Sequence, residues 1–385
     1  MFDVILQCNN NSNSRDAKNV LIIYHLENKI FIGDTYILIN KLASLHAFFN
    51  KAAIDINCTN EKHTVLCSTL LKNNPYIRKL INNSWEDLDF RSYDMVFCIS
   101  RNESQILEMM EQQYKQMPQL PWTTAVYSMS VQLLNWGPNP VISSIFPSFR
   151  DMLDDQSAYN PATLSELYIG QEEKEWANQW LRDNGLKEHE RLYIVLDSTS
   201  ERYKLMNMDT YHTVLSHLLK EESAKVLLFD EQGIGKKSFY YEWLGEEQAS
   251  KLICSVKLSL REALSLLSSD YTKLIFGPCT GLIHCASGIY NHFIRQGKPA
   301  ESMPAIITYT GRYADGHTAE FWWGTSPLVT CIIVRTTTAN EKEAVLLSDL
   351  PEEERKDTSR LLWCNEYTPD MLINYLPAHS HSLVI

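Results

Sequence analysis

The sequence predicts an α/β protein with two doubly wound parallel sheets, and three observations support this fold class. Short apolar runs of strand type alternate with segments that have apolar residues at helical spacing, a pattern typical of parallel sheets covered by helices. This series occurs twice, before and after a stretch rich in Pro, Asn and Ser between about 117 and 165. The chain of 385 residues is also too long for one hydrophobic core of usual size.

The first series of elements predicts a domain over residues 1–165. It begins after an Asn/Ser-rich stretch at 9–14. Strand-like runs are NVLIIYHL (19–26), AAIDINC (52–58), HTVLC (63–67) and YDMVFCIS (93–100). Helical spacing is found in 33–52 and in NNPYIRKLINN (73–83).

The second series predicts a domain over residues 166–340. It opens with a helix at 172–185, in which Trp176 and Trp180 lie one turn apart and Gly185 is a suitable stop. Predicted strands follow at 191–197, 225–233, 273–276, 304–311 and 328–334, with helices at 208–220, 259–269 and near 280. A charged linker and a helix near 368–376 end the chain, and we expect this tail, 341–385, to pack back on the first domain.

Composition and charge restrict the class of protein and of partner. Hydrophobic residues make up 44% of the chain and aromatic residues 11%, which is typical of a folded globular protein rather than a disordered one. The formal net charge of −12 gives a field that repels a polyanionic backbone, so nucleic acid is not an expected partner.

The cysteines and the N-terminal segment predict a cytoplasmic location. Nine scattered cysteines, an odd number set mostly in apolar runs, indicate free thiols in a reducing compartment. The opening residues lack the basic start and apolar core of a signal peptide, and no apolar run approaches the length of a membrane span. The segment 41–51 mixes bases with aromatic residues, which suits either a peripheral contact with the inner membrane or packing on the sheet.

The segment FGPCTGLIHCASG (276–288) is the first candidate for a functional site. A zinc site needs about four ligands, and Cys279, His284 and Cys285 lack the paired C-x2-C spacing and a second ligand cluster. A cysteine nucleophile needs a general base, and no surrounding pattern of a known thiol enzyme is present. Neither chemistry is well supported by the spacing.

A third hypothesis for this segment uses its backbone. A strand ends at Phe276 and a helix begins near Thr280 or Gly281, so free N–H groups point out of the carboxyl edge of the sheet, where they can bind an anion. The alternative is structural: Gly281 permits close packing and His284 is an ordinary helix residue. Spacing alone does not decide between these two.

Segments in both halves resemble glycosyltransferase family 9, the ADP-heptose:lipopolysaccharide heptosyltransferases. The run LSLREALSLLSSDYTKLIFGPCTGLIHCASG is similar to the C-terminal signature of that family, in which a helix and a strand lead into D-[ST]-G-x-x-H. Thr280, Gly281 and His284 match this motif, whereas Cys279 stands in the place of its aspartate.

Two further segments extend the resemblance over roughly residues 19–335, in order. NVLIIYHLENKIFIGDTYILINKLASLHAFF resembles the opening strand, loop, G-D and helix of the family, with Gly33 and Asp34 in the G-D positions. LDSTSERYKLMNMDTYHTVLSHLL resembles the segment in which small hydroxyl residues precede a lysine. Those places are taken by Thr199, Ser200 and Lys204.

The resemblance implies a GT-B architecture, with two domains that face each other across a cleft. It implies an inverting, metal-independent glycosyltransferase without a cofactor. The donor would be a nucleotide sugar, ADP-linked and carrying heptose or a related sugar. The acceptor would be lipopolysaccharide or another surface glycan or glycolipid. The alternatives are a degenerate protein that binds sugar nucleotides without catalysis, which Cys279 favours, and another GT-B enzyme such as a sugar-nucleotide epimerase.

Residue roles follow from the same resemblance. Asp34 is expected to be the general base for the acceptor hydroxyl, next to Gly33 in the loop near the acceptor; the alternative role of Asp34 is a helix N-cap. Lys204 and the N–H groups of Thr280, Gly281 and Leu282 are expected to neutralise the leaving diphosphate.

Other candidates in the second half have simpler alternatives. Lys204 suits an exposed surface position, and Thr199 with Ser200 suits an ordinary capping pair. Glu231 is a candidate for binding the ribose of the nucleotide. Arg312 and His317 follow a later strand and lie in a region that suits either donor contact or a surface loop.

Overall fold

The computed structural model describes residues 2–11, 16–25, 31–33, 35–36, 42, 45–46, 48–49, 52–100, 102–128, 164–312, 323 and 326–376. The chain divides into two compact units, Met1–Thr163 and Leu164–Ile385, so the division falls two residues before the predicted boundary at 165. Each unit contains a sheet of mostly parallel strands with helices, which confirms the predicted α/β class.

The first unit has a parallel sheet in the order β3-β2-β1-β4-β5. Its strands are β1 (Asn19–His25), β2 (Ala53–Cys58), β3 (Ile77–Ile81), β4 (Met95–Ser100) and β5 (Ala125–Ser128). Its helices within the described residues are α1 (Phe2–Asn11), α2 (Glu61–Leu70) and α3 (Glu103–Gln116). Strand β1 is central and almost fully buried, because its run of apolar side chains is covered on both faces.

The strand-like run at 63–67 is helical, so that prediction is wrong. It lies in α2, whose N-terminus is capped by the Asn60 side chain, which accepts the Lys62 N–H at 2.9 Å. The buried residues of α2 are His63, Leu66, Cys67 and Leu70, which is helical and not alternating spacing. A run of five residues is too short to separate the two periods by sequence alone.

The segment 73–83, predicted as a helix, contains strand β3 instead. The Arg78 guanidinium donates to both carboxylate oxygens of the buried Asp55 on β2, at 2.9 and 2.6 Å. The Tyr93 hydroxyl donates to the same carboxylate at 2.9 Å. This buried carboxylate is satisfied only when β3 lies beside β2, so a tertiary interaction overrides the local helical pattern.

The second unit has a larger sheet in the order β12-β11-β10-β9-β6-β7-β8. Its strands are β6 (Arg191–Val195), β7 (Ala224–Asp230), β8 (Leu252–Val256), β9 (Thr272–Pro278), β10 (Ala305–Thr310), β11 (Val329–Thr336) and β12 (Lys342–Leu346). Among the residues that the structure describes in this unit, the helices are α4 (Gln171–Asp183), α5 (Met208–Leu219), α6 (Lys236–Leu244), α7 (Glu246–Ala249), α8 (Leu260–Leu267), α9 (Gly281–Arg295), α10 (Glu352–Lys356) and α11 (Pro369–Ile373).

The described part of the C-terminal tail belongs to the second unit, so its predicted packing on the first domain is corrected. Strand β12 pairs antiparallel with β11. Helix α11 places Leu372 in the same buried cluster as Val214 and Leu218 of α5. The Thr210 hydroxyl donates to the Tyr367 carbonyl at 2.9 Å and fixes the approach to α11. The segment read as a charged linker therefore contains an edge strand.

Candidate functional site

The order of the strands identifies one position in the second sheet where a ligand can enter. The chain passes outward from β6 through β7 to β8, and then returns to β9 on the other side of β6. Neighbouring strands β6 and β9 are parallel, so both end at the same edge, and the segments that follow them diverge. Ligands of open α/β sheets bind at such a reversal, outside the carboxyl ends of the strands.

A close approach between β6 and β9 fixes the geometry of this edge. A Cβ on Gly277 would lie 2.7 Å from both the Cβ and the carbonyl oxygen of Leu196, so only glycine fits this position without displacement. Beyond it, the Cys279 N–H donates to the Tyr309 carbonyl at 2.9 Å. The end of β9 is therefore packed against the segment that follows β6, and the turn into α9 is bonded to β10 on the other side.

Helix α9 begins at this edge with its first N–H groups available. Thr280 is the N-cap residue and has extended backbone angles, but its side chain makes no capping hydrogen bond. The first N–H groups of a helix have no partner within the helix and form the positive end of its dipole. Because Thr280, Gly281 and Leu282 are each partly exposed, an anion can reach these donors.

Lys204 lies near the same helix terminus. It ends a short 3₁₀ helix, Arg202–Lys204, in the connection between β6 and α5. Burial raises the pKa of the Cys279 thiol to about 12, and the positive charge of Lys204 opposes that rise. Burial, and to a smaller extent the same charge, lowers the pKa of His284 to about 4. The structure thus brings together Lys204, Cys279 and His284, which the sequence separates by 75 to 80 positions.

The titration of Cys279 and His284 argues against nucleophilic chemistry in this turn. With a pKa of about 12 the thiol is protonated at neutral pH, so Cys279 does not supply a thiolate. Its Sγ lies 3.8 Å from Nε2 of His284, whose ring stacks on Trp323 at a centroid distance of 5.1 Å. Among the described residues, no group of three or more His, Cys, Asp or Glu side chains is arranged to hold a metal ion.

A second lysine at this edge, Lys236, was not identified from the sequence and has a structural role. Its Nζ donates to Asp197 Oδ1 at 2.6 Å, to Ser198 Oγ at 2.7 Å and to the Phe229 carbonyl at 2.6 Å. An ammonium has three N–H bonds, so these contacts use all its donors. Asp197 also accepts the Tyr240 hydroxyl at 2.6 Å. The cluster fixes the start of the loop after β6.

The N-terminus of α6 is already occupied by a carboxylate of the protein. Asp230, at the end of β7, accepts the N–H groups of Ile234, Gly235 and Lys236 at 2.9, 3.0 and 3.1 Å. Burial alone raises the pKa of Asp230, but these hydrogen bonds outweigh it and hold the pKa below its usual value. The neighbouring Glu231 is 45% exposed and lies 4.0 Å from Lys236 Nζ.

The remaining sequence candidates of the second unit also lie at or just beyond this edge. Thr199 is half-buried and Ser200 exposed in the loop after β6. Arg312 follows β10 and is exposed; its N–H donates to the Leu362 carbonyl at 2.8 Å. His317 lies outside the described residues.

In the first unit, Gly33 is described and Asp34 is not. Gly33 is half-buried in a helical turn in which the Thr35 N–H donates to the Phe31 carbonyl at 3.2 Å. The hydroxyls of Thr35 and Tyr24 are 2.8 Å apart, and Tyr24 is the second-last residue of β1. The turn is therefore hydrogen-bonded to the carboxyl end of the central strand.

None of the helices described here combines the length and the apolar character needed to cross a membrane.

Solved glycosyltransferases share this fold, although no family model and no curated protein matches the sequence. ADP-heptose lipopolysaccharide heptosyltransferase II of E. coli aligns with a TM-score of 0.55 and 15% identity, over 89% of this chain and 97% of that one. A family 9 glycosyltransferase of Veillonella parvula aligns with 0.55 and 12%, over 83% and 87%. The E. coli heptosyltransferase WaaC with ADP aligns with 0.50 and 14%, over 88% and 98%. At these identities the likeness shows the fold, and the fold implied by the sequence resemblance is confirmed.

Proposed function

We propose that this protein is a glycosyltransferase that takes a sugar from a nucleotide-diphosphate donor bound at the carboxyl edge of its second sheet. The observation that carries the proposal is the uncapped start of α9 at the reversal of strand order, with the charge of Lys204 beside it. The fold shared with E. coli WaaC, a heptosyltransferase solved with ADP, supports the same assignment.

The diphosphate would lie between the start of α9 and the loop after β6. The N–H groups of Thr280, Gly281 and Leu282 are directed donors, and Lys204 supplies a full positive charge. The hydroxyls of Thr199 and Ser200, in the loop after β6, would add further hydrogen-bond donors. Such groups stabilise the charge that develops on a departing diphosphate, and no metal ion is required for this task.

The nucleoside would extend along the edge toward β7 and β8. Glu231 stands exposed at the end of β7, where a carboxylate can accept ribose hydroxyls. Ile234 follows β7 and has 72% of its surface exposed. Val256 is the last residue of β8 and has 52% exposed. Apolar side chains at this position suit a flat base, for which we propose adenine.

The acceptor hydroxyl would be deprotonated by Asp34. Its oxygen then bonds to the anomeric carbon while the bond from that carbon to the diphosphate breaks, and the diphosphate leaves on the opposite face. This single displacement inverts the anomeric configuration. By the sequence resemblance, Gly33 would lie in the loop near the acceptor. We propose that this acceptor is lipopolysaccharide or another surface glycan, and that heptose or a related sugar is the group transferred. We also propose peripheral contact with the inner membrane.

Cys279 favours a second candidate function, the binding of a sugar nucleotide without catalysis. The resembled family has an aspartate there, whereas this chain has a buried neutral thiol. If the lost carboxylate is needed for transfer, the chain would be a sugar-nucleotide-binding protein without catalysis.

A two-stage experiment separates these functions. A thermal-shift screen of nucleotide sugars identifies a ligand, and the protein is then incubated with that ligand with and without deacylated lipopolysaccharide. A transferase releases nucleotide diphosphate only when acceptor is present. Binding without turnover identifies the non-catalytic protein, and conversion of the sugar without acceptor identifies an epimerase. The absence of binding to every nucleotide sugar would contradict the proposal.

A further inference from the structure

Two large aromatic side chains are left exposed beside the proposed diphosphate site. Tyr203 and Trp363 expose 45% and 41% of their surface, and their ring centroids lie 5.5 Å apart with planes at 61°. The guanidinium carbon of Arg312 lies 5.9 Å from the centroid of the Trp363 ring. We call Tyr203, Trp363 and Arg312 the aromatic corner.

The backbone that carries Trp363 is fixed on both sides. Leu362 donates its N–H to the Val334 carbonyl at 3.0 Å, and its own carbonyl accepts the Arg312 N–H at 2.8 Å. Cys364 is fully buried. A Cβ on Gly311 would lie 2.8 Å from the Leu362 carbonyl oxygen, so glycine at 311 permits this crossing. Trp363 and Tyr203 therefore present a fixed pair of partly exposed ring surfaces, which a ligand can cover.

The sheet places the aromatic corner on one side of the diphosphate site. Arg312 follows β10, which pairs with β9, the strand that leads into α9. Tyr203 directly precedes Lys204. The nucleoside is proposed to lie over β7 and β8, on the other side of β6. A group linked to the second phosphate would therefore lie over β9 and β10, where the aromatic corner is.

We propose that the aromatic corner binds the sugar of the nucleotide-sugar donor. This inference rests on the proposed function and names residues that set its specificity. The C–H face of a pyranose ring is apolar and packs on an aromatic ring, while the exposed Arg312 guanidinium can donate hydrogen bonds to sugar hydroxyls. These contacts would hold the sugar where the turn before α9 offers a neutral thiol in place of a carboxylate.

The test compares the binding of ADP, which lacks the sugar, with the binding of ADP-heptose. Isothermal titration is performed with wild type, Trp363→Ala, Trp363→Phe and Tyr203→Ala. Tyr241→Ala is the matched control, because Tyr241 is equally exposed, at 48%, but lies on α6. We expect Trp363→Ala to weaken ADP-heptose binding about tenfold, which is the upper range for one aromatic contact. ADP binding should stay unchanged. Trp363→Phe keeps a ring and should bind more tightly than Trp363→Ala.

Each result bears on a different part of the inference. Equal ADP-heptose affinity in wild type and folded Trp363→Ala would overturn the role of the aromatic corner and leave the diphosphate site standing. A loss of ADP binding equal to the loss of ADP-heptose binding would also overturn it, because the effect would not depend on the sugar. Wild-type protein that binds neither compound would overturn the proposed adenine nucleotide donor and this inference together.

Discussion

Replacement of Gly277 by alanine tests whether the close contact between β6 and β9 builds the site. The added Cβ would lie 2.7 Å from the Leu196 carbonyl oxygen, whereas ordinary contacts begin at 3.4 Å, so the strands must separate by about 0.7 Å. The obstructing atom belongs to the backbone, and rotation of a side chain cannot relieve the contact. Overpacking of this kind costs roughly 1–3 kcal/mol in unfolding free energy.

The assay is urea unfolding of wild type and Gly277→Ala, followed by titration of the folded proteins with ADP. The separation moves the loop that starts at Leu196 away from α9, so we expect ADP affinity to fall at least about tenfold together with stability. Gly185→Ala is the control: its φ of +94° strains alanine, but no atom lies within 4 Å of the added Cβ. That variant should lose about 1 kcal/mol and bind ADP normally. Wild-type stability in Gly277→Ala would refute this reasoning.

Three further predictions concern single side chains of the proposed site. Asp34→Asn keeps shape and capping capacity but removes the base, so donor binding should persist while turnover falls roughly a hundredfold; full transfer activity would exclude the role. The folded state holds the pKa of His284 near 4 against 6.5 unfolded, so unfolding free energy should fall by about 3 kcal/mol as the pH drops through that window. His284→Gln should lose this part of the pH dependence in urea unfolding, and parallel curves for the two proteins would contradict the assignment. Cys279→Ala should cost about 1 kcal/mol of stability and leave ADP affinity unchanged in titration, since the neutral thiol is not proposed to bind phosphate; a large loss of ADP affinity would contradict that placement.

The sequence predicted the elements that depend on local pattern. Strands such as β1 and β4 are buried on both faces, so an uninterrupted apolar run identifies them. The identity of β3 was missed because it depends on Asp55, a carboxylate on another strand that needs Arg78. Residues 63–67 were too short a run for their period to show.

In the candidate site, too, the features with a local sequence pattern were predicted and those that depend on distant contacts were missed. Lys204 and the start of α9 were predicted from matched motifs, and the structure places them at one edge. The contact of Gly277 with Leu196 and the saturation of Lys236 by Asp197 join distant segments, and no local pattern reports such contacts. Trp363 was missed for the same reason, since it lies in a tail that was expected to pack elsewhere.

The two lysines at the edge of the second sheet provide the most direct test of the central claim, that a nucleotide diphosphate binds beside α9. ADP is titrated into wild type, Lys204→Met and Lys236→Met under conditions in which all three are folded. Lys236 uses its three donors within the protein, so its loss should lower the melting temperature and leave ADP affinity within about threefold of wild type. Lys204→Met should weaken ADP binding at least about tenfold in protein that is still folded. Unchanged ADP affinity in Lys204→Met, with the loss seen in Lys236→Met instead, would contradict the claim.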